Sequence, residues 1–185
     1  MRDTKFFIEI GSCNFGTLNH LASHGWEGII VEPIAKYLND IERLPGVQYV
    51  NKAIDTTSSV RTMFVYKDDI CKNDRDFSGM SCFEEYVIDS NKNLVEAVDV
   101  LTTTYDALMI ECQVERIDFL KIDTEGHDWA ILQMVNYEGA LRPQIIKAET
   151  KHLGGNKELA VKFLEDRHYL VYQERDDLYA INIKL

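Results

Sequence analysis

Short β-branched and aromatic runs alternate along this chain with stretches whose apolar positions recur at helical spacing. Lys5 to Ile10 reads as a first strand and Gly28 to Val31 as a second. Between them Phe15, Leu18, Leu21 and Ala22 fall roughly on one face of a helix that stops near Gly25. Ile34, Leu38 and Ile41 mark the next helix, Pro45-Gly46 ends it, and Val47 to Ile54 forms a third strand. Strand, helix, strand, helix, strand is the pattern of a parallel sheet joined by right-handed crossovers. The middle departs from it. Ser59 to Tyr66 and Ala97 to Thr102 alternate like antiparallel strands, so 56–102 is expected to hold extra strands and loops, with Lys67 to Asp76 a charged loop and Ser78 to Cys82 a small-residue turn.

The parallel pattern then resumes. Thr104 is placed to cap a helix from Tyr105 to about Cys112. Ile117, Phe119, Leu120 and Ile122 are apolar on both faces, as in a central parallel strand. A helix through Trp129, Ile131, Leu132 and Val135 follows, then a strand over Gln144 to Thr150. A helix from about Asn156 to Arg167 points Leu159, Phe163 and Leu164 inward. Tyr169 to Tyr172 and Leu178 to Leu185 are separated by so short a turn, around Asp176-Asp177, that they must be antiparallel neighbours. The expected fold is therefore α/β, a Rossmann-like sheet of the class I methyltransferase type, mostly parallel with a C-terminal antiparallel hairpin. A dinucleotide-binding domain would end in parallel strands instead.

Composition narrows this picture without changing it. A chain of 185 residues, 45% hydrophobic and 28% charged, suits a single domain over 1–185. A formal charge of −11 argues against a nucleic-acid partner. No apolar run approaches a membrane span, and the start does not read as a signal peptide. Cys13, Cys71, Cys82 and Cys112 are scattered, without a CxxC pair, so a cytoplasmic, reducing setting is expected.

The candidate chemistry gathers where strands end, which is where open α/β sheets bind ligands. The first strand runs into Glu9-Ile10-Gly11-Ser12-Cys13-Asn14-Phe15-Gly16, a glycine loop without the GxGxxG or GxxxxGK[ST] spacing. An acid ahead of such a loop would repel pyrophosphate. It suits a ligand with a cationic amino group, as in S-adenosylmethionine. Glu32 ends the second strand, where an acid can accept hydrogen bonds from ribose hydroxyls. The competing reading is an acid in the first turn of a helix, favoured by the helix dipole. The chain from 117 onward exits its strand through Asp123, Glu125, His127 and Asp128.

The stretch Ile117-Asp118-Phe119-Leu120-Lys121-Ile122-Asp123-Thr124-Glu125-Gly126-His127-Asp128 resembles the signature of the FkbM family of S-adenosylmethionine-dependent methyltransferases: an apolar strand, Lys-Ile-Asp-x-Glu-Gly, then an acid two residues on. Glu9-Ile10-Gly11, Val31-Glu32-Pro33, Lys52-Ala53-Ile54, Ser78 to Cys82, Thr104 to Leu108 and Lys147-Ala148-Glu149 resemble further family pieces in the same order. The resemblance implies an S-adenosylmethionine-dependent enzyme, with O-methylation of a small-molecule or sugar hydroxyl the expected reaction. It implies Glu9, Gly11, Ser12, Asn14, Gly16, Glu32, Pro33, Ala53 and Asp123 as cofactor-binding residues, and Asp123, Glu125 and Glu149 as the acids facing the acceptor. Gly11 and Gly16 stand one residue further apart than the family's Gly-x-x-x-Gly. The chain begins directly on the first strand, whereas relatives often carry an N-terminal extension. The site is thus expected to be open, covered by 56–102, or covered by a partner chain, which leaves room for a homo-oligomer.

A hydroxyl acceptor needs a general base within hydrogen-bond reach, and Asp123, Glu125, His127, Glu149 and His152 are the candidates. Asp123 and Glu125 also admit a purely structural reading, as acids at a helix start. His127 is expected at the surface, and Lys121 is expected to pair with an acid such as Asp118 or Glu149. No spacing of acids and histidines matches a recognised metal motif, so no metal residue is assigned, although clustered carboxylates with a histidine suit hard or borderline cations. The alternative function is a non-catalytic cofactor-binding or interaction module on the same fold.

Overall fold

The computed structural model describes residues 4–67, 81–83 and 95–184. Its main sheet begins with three parallel strands, β1 (Phe6–Ile10), β2 (Glu27–Val31) and β3 (Val47–Val50). It continues through β7 (Phe119–Ile122) and β8 (Ile145–Glu149), also parallel to β1. The C-terminal hairpin of β9 (Tyr169–Glu174) and β10 (Asp177–Asn182) closes it, with β10 antiparallel to β8. The seven strands lie in the order β3-β2-β1-β7-β8-β10-β9. This is the mostly parallel sheet with a terminal hairpin that the sequence pattern predicts. The order turns back at β1 and β7, so a crevice opens at their carboxyl ends.

Alternation along the strands builds a core on each side. Ile8, Ile10, Ile29 and Val31 pack with the helices α2 (Tyr105–Glu111), α3 (Asp128–Met134) and α4 (Asn156–Glu165). Phe7 and Ile30 face the other way, onto Leu18 and onto Leu38 and Ile41 at the short helix α1 (Ala35–Asp40). The predicted caps and faces hold at several points. Thr104 Oγ1 accepts from Ala107 N at 3.1 Å and starts α2, and Ile34, Leu38 and Ile41 are all buried.

Three expectations change. The helix predicted from Phe15 is only a 3-10 segment, Asn19–His24, and Phe15 is exposed. Gly16 takes φ +50, and the Thr17 and Leu18 amides donate to the Glu9 carboxylate instead of to helix carbonyls. The third strand splits. After Val50 the chain leaves the sheet, Asn51 Nδ2 donating to the Glu32 and Pro33 carbonyls, and β4 (Ala53–Ile54) joins a second sheet. Leu159 of α4 faces solvent, while Ala160 and Leu164 supply the buried stripe.

The second sheet has the order β4-β6-β5, with β5 (Val60–Tyr66) and β6 (Val95–Thr103) antiparallel. It packs Ala53, Met63, Val65 and Val100 against Ile34 and Tyr37. These are the extra strands expected within 56–102. Cys71, most of the charged loop and Ser78 to Met80 lie outside the described residues. Among the described residues no helix is long and apolar enough to cross a membrane.

Candidate active site

The strands β1, β2 and β7 end side by side, and their ends are tied together by backbone bonds. Gly11 N donates to Val31 O at 3.0 Å, and Asp123 N to Ile10 O at 2.9 Å. Gly11 is required here. At φ +80, a Cβ would lie 1.9 Å from the Asp123 carbonyl oxygen. The strand ends thereby come close enough for their loops to share one cleft of ≈ 290 Å³, near the lower limit for small-molecule sites.

One end of the cleft is built by Gly11, Ser12, Glu32, Pro33 and Ala53, with Tyr37, Ile54 and Met63 as an apolar wall. Glu32 is buried, and its two carboxylate oxygens accept from Cys13 N at 2.8 Å and Ile34 N at 2.9 Å. Burial pushes its pKa up to about 7, against the pull of those two amides. Each oxygen keeps accepting capacity for a further donor in the cleft.

The other end is acid-rich. Asp123, Glu125 and Glu149 line it, together with His127. Lys121 stands between the sheet and this end. Its Nζ lies 2.9 Å from Glu9 Oε1 and 3.2 Å from Asp123 Oδ2. Burial alone would lower the lysine's pKa, but Glu9 and Asp123 outweigh it and raise it, so the ammonium form is held. Lys121 does pair with acids, though neither Asp118 nor Glu149 is its partner. Asp118 is taken by Arg116 and by the Phe6 amide. The register explains this, because Lys121 is the direct parallel neighbour of Glu9.

Glu125 sits in a left-handed backbone conformation, φ +31, just before Gly126. Its Oε2 lies 2.8 Å from His152 Nε2. That separation would suit an ion pair, yet burial comes first for both groups and drives each toward its neutral form. The Glu125 carboxyl is pushed up to about 7, with Asp123 and Asp128 adding to burial against Lys151, and the His152 imidazole is lowered. The two atoms are also not aligned as a hydrogen bond. Burial therefore disfavours the charged form of both groups at this contact. Glu149 is pushed up to about 8, by burial first and then by Glu125, Asp123 and Asp128. Asp128, almost fully buried, is pushed up to about 6 by burial and by Asp123.

Eight of the residues implied by the resemblance thus line one cleft: Gly11, Ser12, Glu32, Pro33, Ala53, Asp123, Glu125 and Glu149. Glu9, Asn14 and Gly16 are not in its lining. Glu9 is fully buried and shapes the loop from beneath, accepting from Thr17 N, Leu18 N and Lys121 Nζ. Gly16 packs on Ile41 and Asn19.

The half-buried setting of His127, a candidate base expected at the surface, and several other cleft residues escaped the sequence reading. His127 is half-buried, with Nε2 3.4 Å from Asp55 Oδ1 and its ring edge-on to Phe83. Asp55 is held in turn by Arg61 at 2.8 Å. Met63, Ser81 and Phe83 reach the cleft from the second sheet and its flank. Ser81 belongs to the small-residue turn that resembles a family piece, whereas no local pattern in the sequence points to Met63 or Phe83, which the second sheet and its flank bring there.

A family model described as the methyltransferase FkbM domain matches residues 9–173. Two solved structures are similar in fold. One is the crystal structure of a fibrillarin/Nop5p complex, 13% identical, with a TM-score of 0.47 over 97% of this chain and 72% of that chain. The other is the human methyltransferase 10 domain containing protein, 11% identical, with a TM-score of 0.43 over 98% of this chain and 72% of that chain. The comparison with curated proteins gives no match.

Proposed function

The chain belongs to the FkbM methyltransferase domain family, and from that premise we propose that it is an S-adenosylmethionine-dependent O-methyltransferase acting on a small-molecule or sugar hydroxyl. The observation that carries this reading is a single cleft with two chemically different ends. One end offers a buried acid beside an apolar wall, and the other offers converging acids.

The residues present fit the cofactor. Glu32 has lone pairs left for two ribose hydroxyls, Tyr37, Ile54 and Met63 suit the flat face of an adenine, and the glycine at 11 lets the backbone approach closely. When bound, S-adenosylmethionine supplies an electrophilic methyl group on a sulfonium. The protein's part is then largely positioning. Lys121 fixes Asp123 at the cleft by holding one of its oxygens. Asp123, with Glu125 and Glu149 beside it, receives the acceptor hydroxyl, orients its oxygen along the line of attack and takes its proton. Cys13 N and Ile34 N hold Glu32 in place, so the ribose end needs little rearrangement on binding.

Calorimetry with S-adenosylhomocysteine tests the cofactor half. We expect saturable binding that Glu32→Ala weakens by ~1.5–3 kcal/mol, the range for hydrogen bonds to charged groups. No heat and no thermal shift at millimolar ligand would sink it. The acceptor half is tested by transfer of a labelled methyl group to a panel of hydroxyl and amine compounds. A methyl found on nitrogen instead of oxygen would redirect the assignment.

A further inference from the structure

We propose that Glu125, Glu149 and His152 form a site for a divalent cation of the Mn²⁺ or Mg²⁺ kind, at the acceptor end of the cleft. Two separate pieces of chain meet there. Glu125 lies in the turn before α3, Glu149 ends β8, and His152 lies in the turn that follows. One carboxylate oxygen from each glutamate and one ring nitrogen fall within 4.8 Å of one another. Two ligands bound at right angles to one ion of this size stand roughly 3 Å apart. The 2.8 Å between His152 Nε2 and Glu125 Oε2 matches that spacing.

The state of these atoms is the second observation. Glu125 Oε2, Glu149 Oε2 and His152 Nε2 are all buried and all lack a hydrogen-bond partner. Buried polar atoms in folded proteins almost always have one, so three at one place mark a position for a ligand. The surroundings agree. Asp128, 1% exposed, leaves Oδ1 buried and without a hydrogen-bond partner, and its charge reaches both glutamates. Among the described residues no lysine or arginine forms an ion pair with either glutamate. Lys151 acts on both only from a distance. A dication would satisfy all three atoms at once and offset the clustered negative charge.

Two carboxylates with one imidazole suit an octahedral ion that accepts oxygen ligands, with no thiolate to favour a softer metal. Three protein ligands would leave positions for water or for oxygens of the acceptor. That role rests on the methyltransferase reading above. The cation would orient an acceptor oxygen and favour its ionised form, occupying Glu125 and Glu149 as ligands and leaving Asp123 to take the proton.

The whole chain is titrated with Mn²⁺ while the electron paramagnetic resonance of free Mn²⁺ is followed, without any organic ligand. We expect one ion bound per chain, displaced by excess Mg²⁺ and accompanied by a rise in melting temperature. Glu149→Gln and His152→Ala should each weaken binding at least about tenfold, since even loss of a group behind a metal ligand costs that much. Circular dichroism on the same samples certifies that both variants are folded, and Glu149→Gln preserves shape while removing a charge. No binding at millimolar Mn²⁺, or binding that both folded variants leave intact, would overturn the proposal. S-adenosylhomocysteine calorimetry on the same preparations separates the two readings. Cofactor binding without Mn²⁺ binding overturns the cation site alone. Mn²⁺ binding without cofactor binding overturns the cofactor reading and supports the site.

Discussion

The two ends of the cleft treat buried acids in opposite ways. At the glycine-loop end, every oxygen of Glu9 and Glu32 already accepts from a backbone amide, Glu9 also from the Lys121 ammonium, and Glu32 keeps capacity for further donors. At the other end, Glu125, Glu149 and Asp128 each keep a buried oxygen with no hydrogen-bond partner. Satisfied acids hold backbone in place, so the first end is a scaffold formed before any ligand arrives. Unsatisfied acids raise the energy of the empty protein and are the groups with something to gain from a ligand. The two ends meet where Gly11 packs against the Asp123 carbonyl.

The contrast is broken most severely at that contact. Gly11→Ala would force a Cβ to within 1.9 Å of a carbonyl oxygen in a backbone region that alanine avoids. We expect more than about 4 kcal/mol of destabilisation or no soluble protein, read by urea unfolding. A variant melting like the parent chain would mean that the strand ends do not pack this closely.

Next in size is Lys121→Met. It leaves Glu9 buried without its ammonium, which should cost about 3–5 kcal/mol. Adding Glu9→Gln should recover part of that loss, because the uncompensated charge is then gone. Failure of the double variant to recover would mean that the lysine acts by packing alone.

Glu32 gives a pH dependence with a definite sign. Its folded pKa, about 7, stands above the ordinary glutamate value of 4.5, so the folded state holds its proton more tightly than the unfolded chain. Its contribution to stability is fully present below the unfolded value and is lost as pH rises through about 7. The loss between pH 4 and pH 8 is about 3 kcal/mol at ~1.4 kcal/mol per pKa unit. Urea midpoints measured across that range check it, and Glu32→Gln should remove this share of the slope whatever it does to absolute stability.

The smallest effect is the sharpest contrast. Glu149→Gln removes a carboxyl that burial and its acidic neighbours already hold against ionisation, and whose Oε2 has no hydrogen-bond partner. It should leave stability within about 1 kcal/mol of the parent or raise it, unlike any change at Glu9. A loss as large as that from Lys121→Met would show that the acid end is scaffold too.

The scaffold end was the more legible in the sequence, though not in detail. Strand alternation and the terminal hairpin identify the sheet, and Glu32 stands at a recognisable strand end. Glu9 looked like a ligand contact because it precedes a glycine loop. Its actual partners include Lys121, 112 residues away, a pairing that only strand register can create. At the acid end, Asp123, Glu125 and Glu149 were visible as strand exits, but their shared environment was not. His127 read as a surface residue because the wall it faces, Asp55 and Phe83, comes from elsewhere in the chain.

The sequence by itself determined which segments form strands, that the sheet is parallel until its last hairpin, and that acids gather at the carboxyl ends. Periodicity and turn length are local, so one segment at a time suffices to read them. Only the tertiary structure decided which acids are satisfied and which are not. That depends on which strands become neighbours, on a glycine that lets two strand ends touch, and on turns that bring Glu125 against His152. Each of these joins residues that share no local pattern, and each fixes whether a buried carboxylate becomes part of the scaffold or remains available to a ligand.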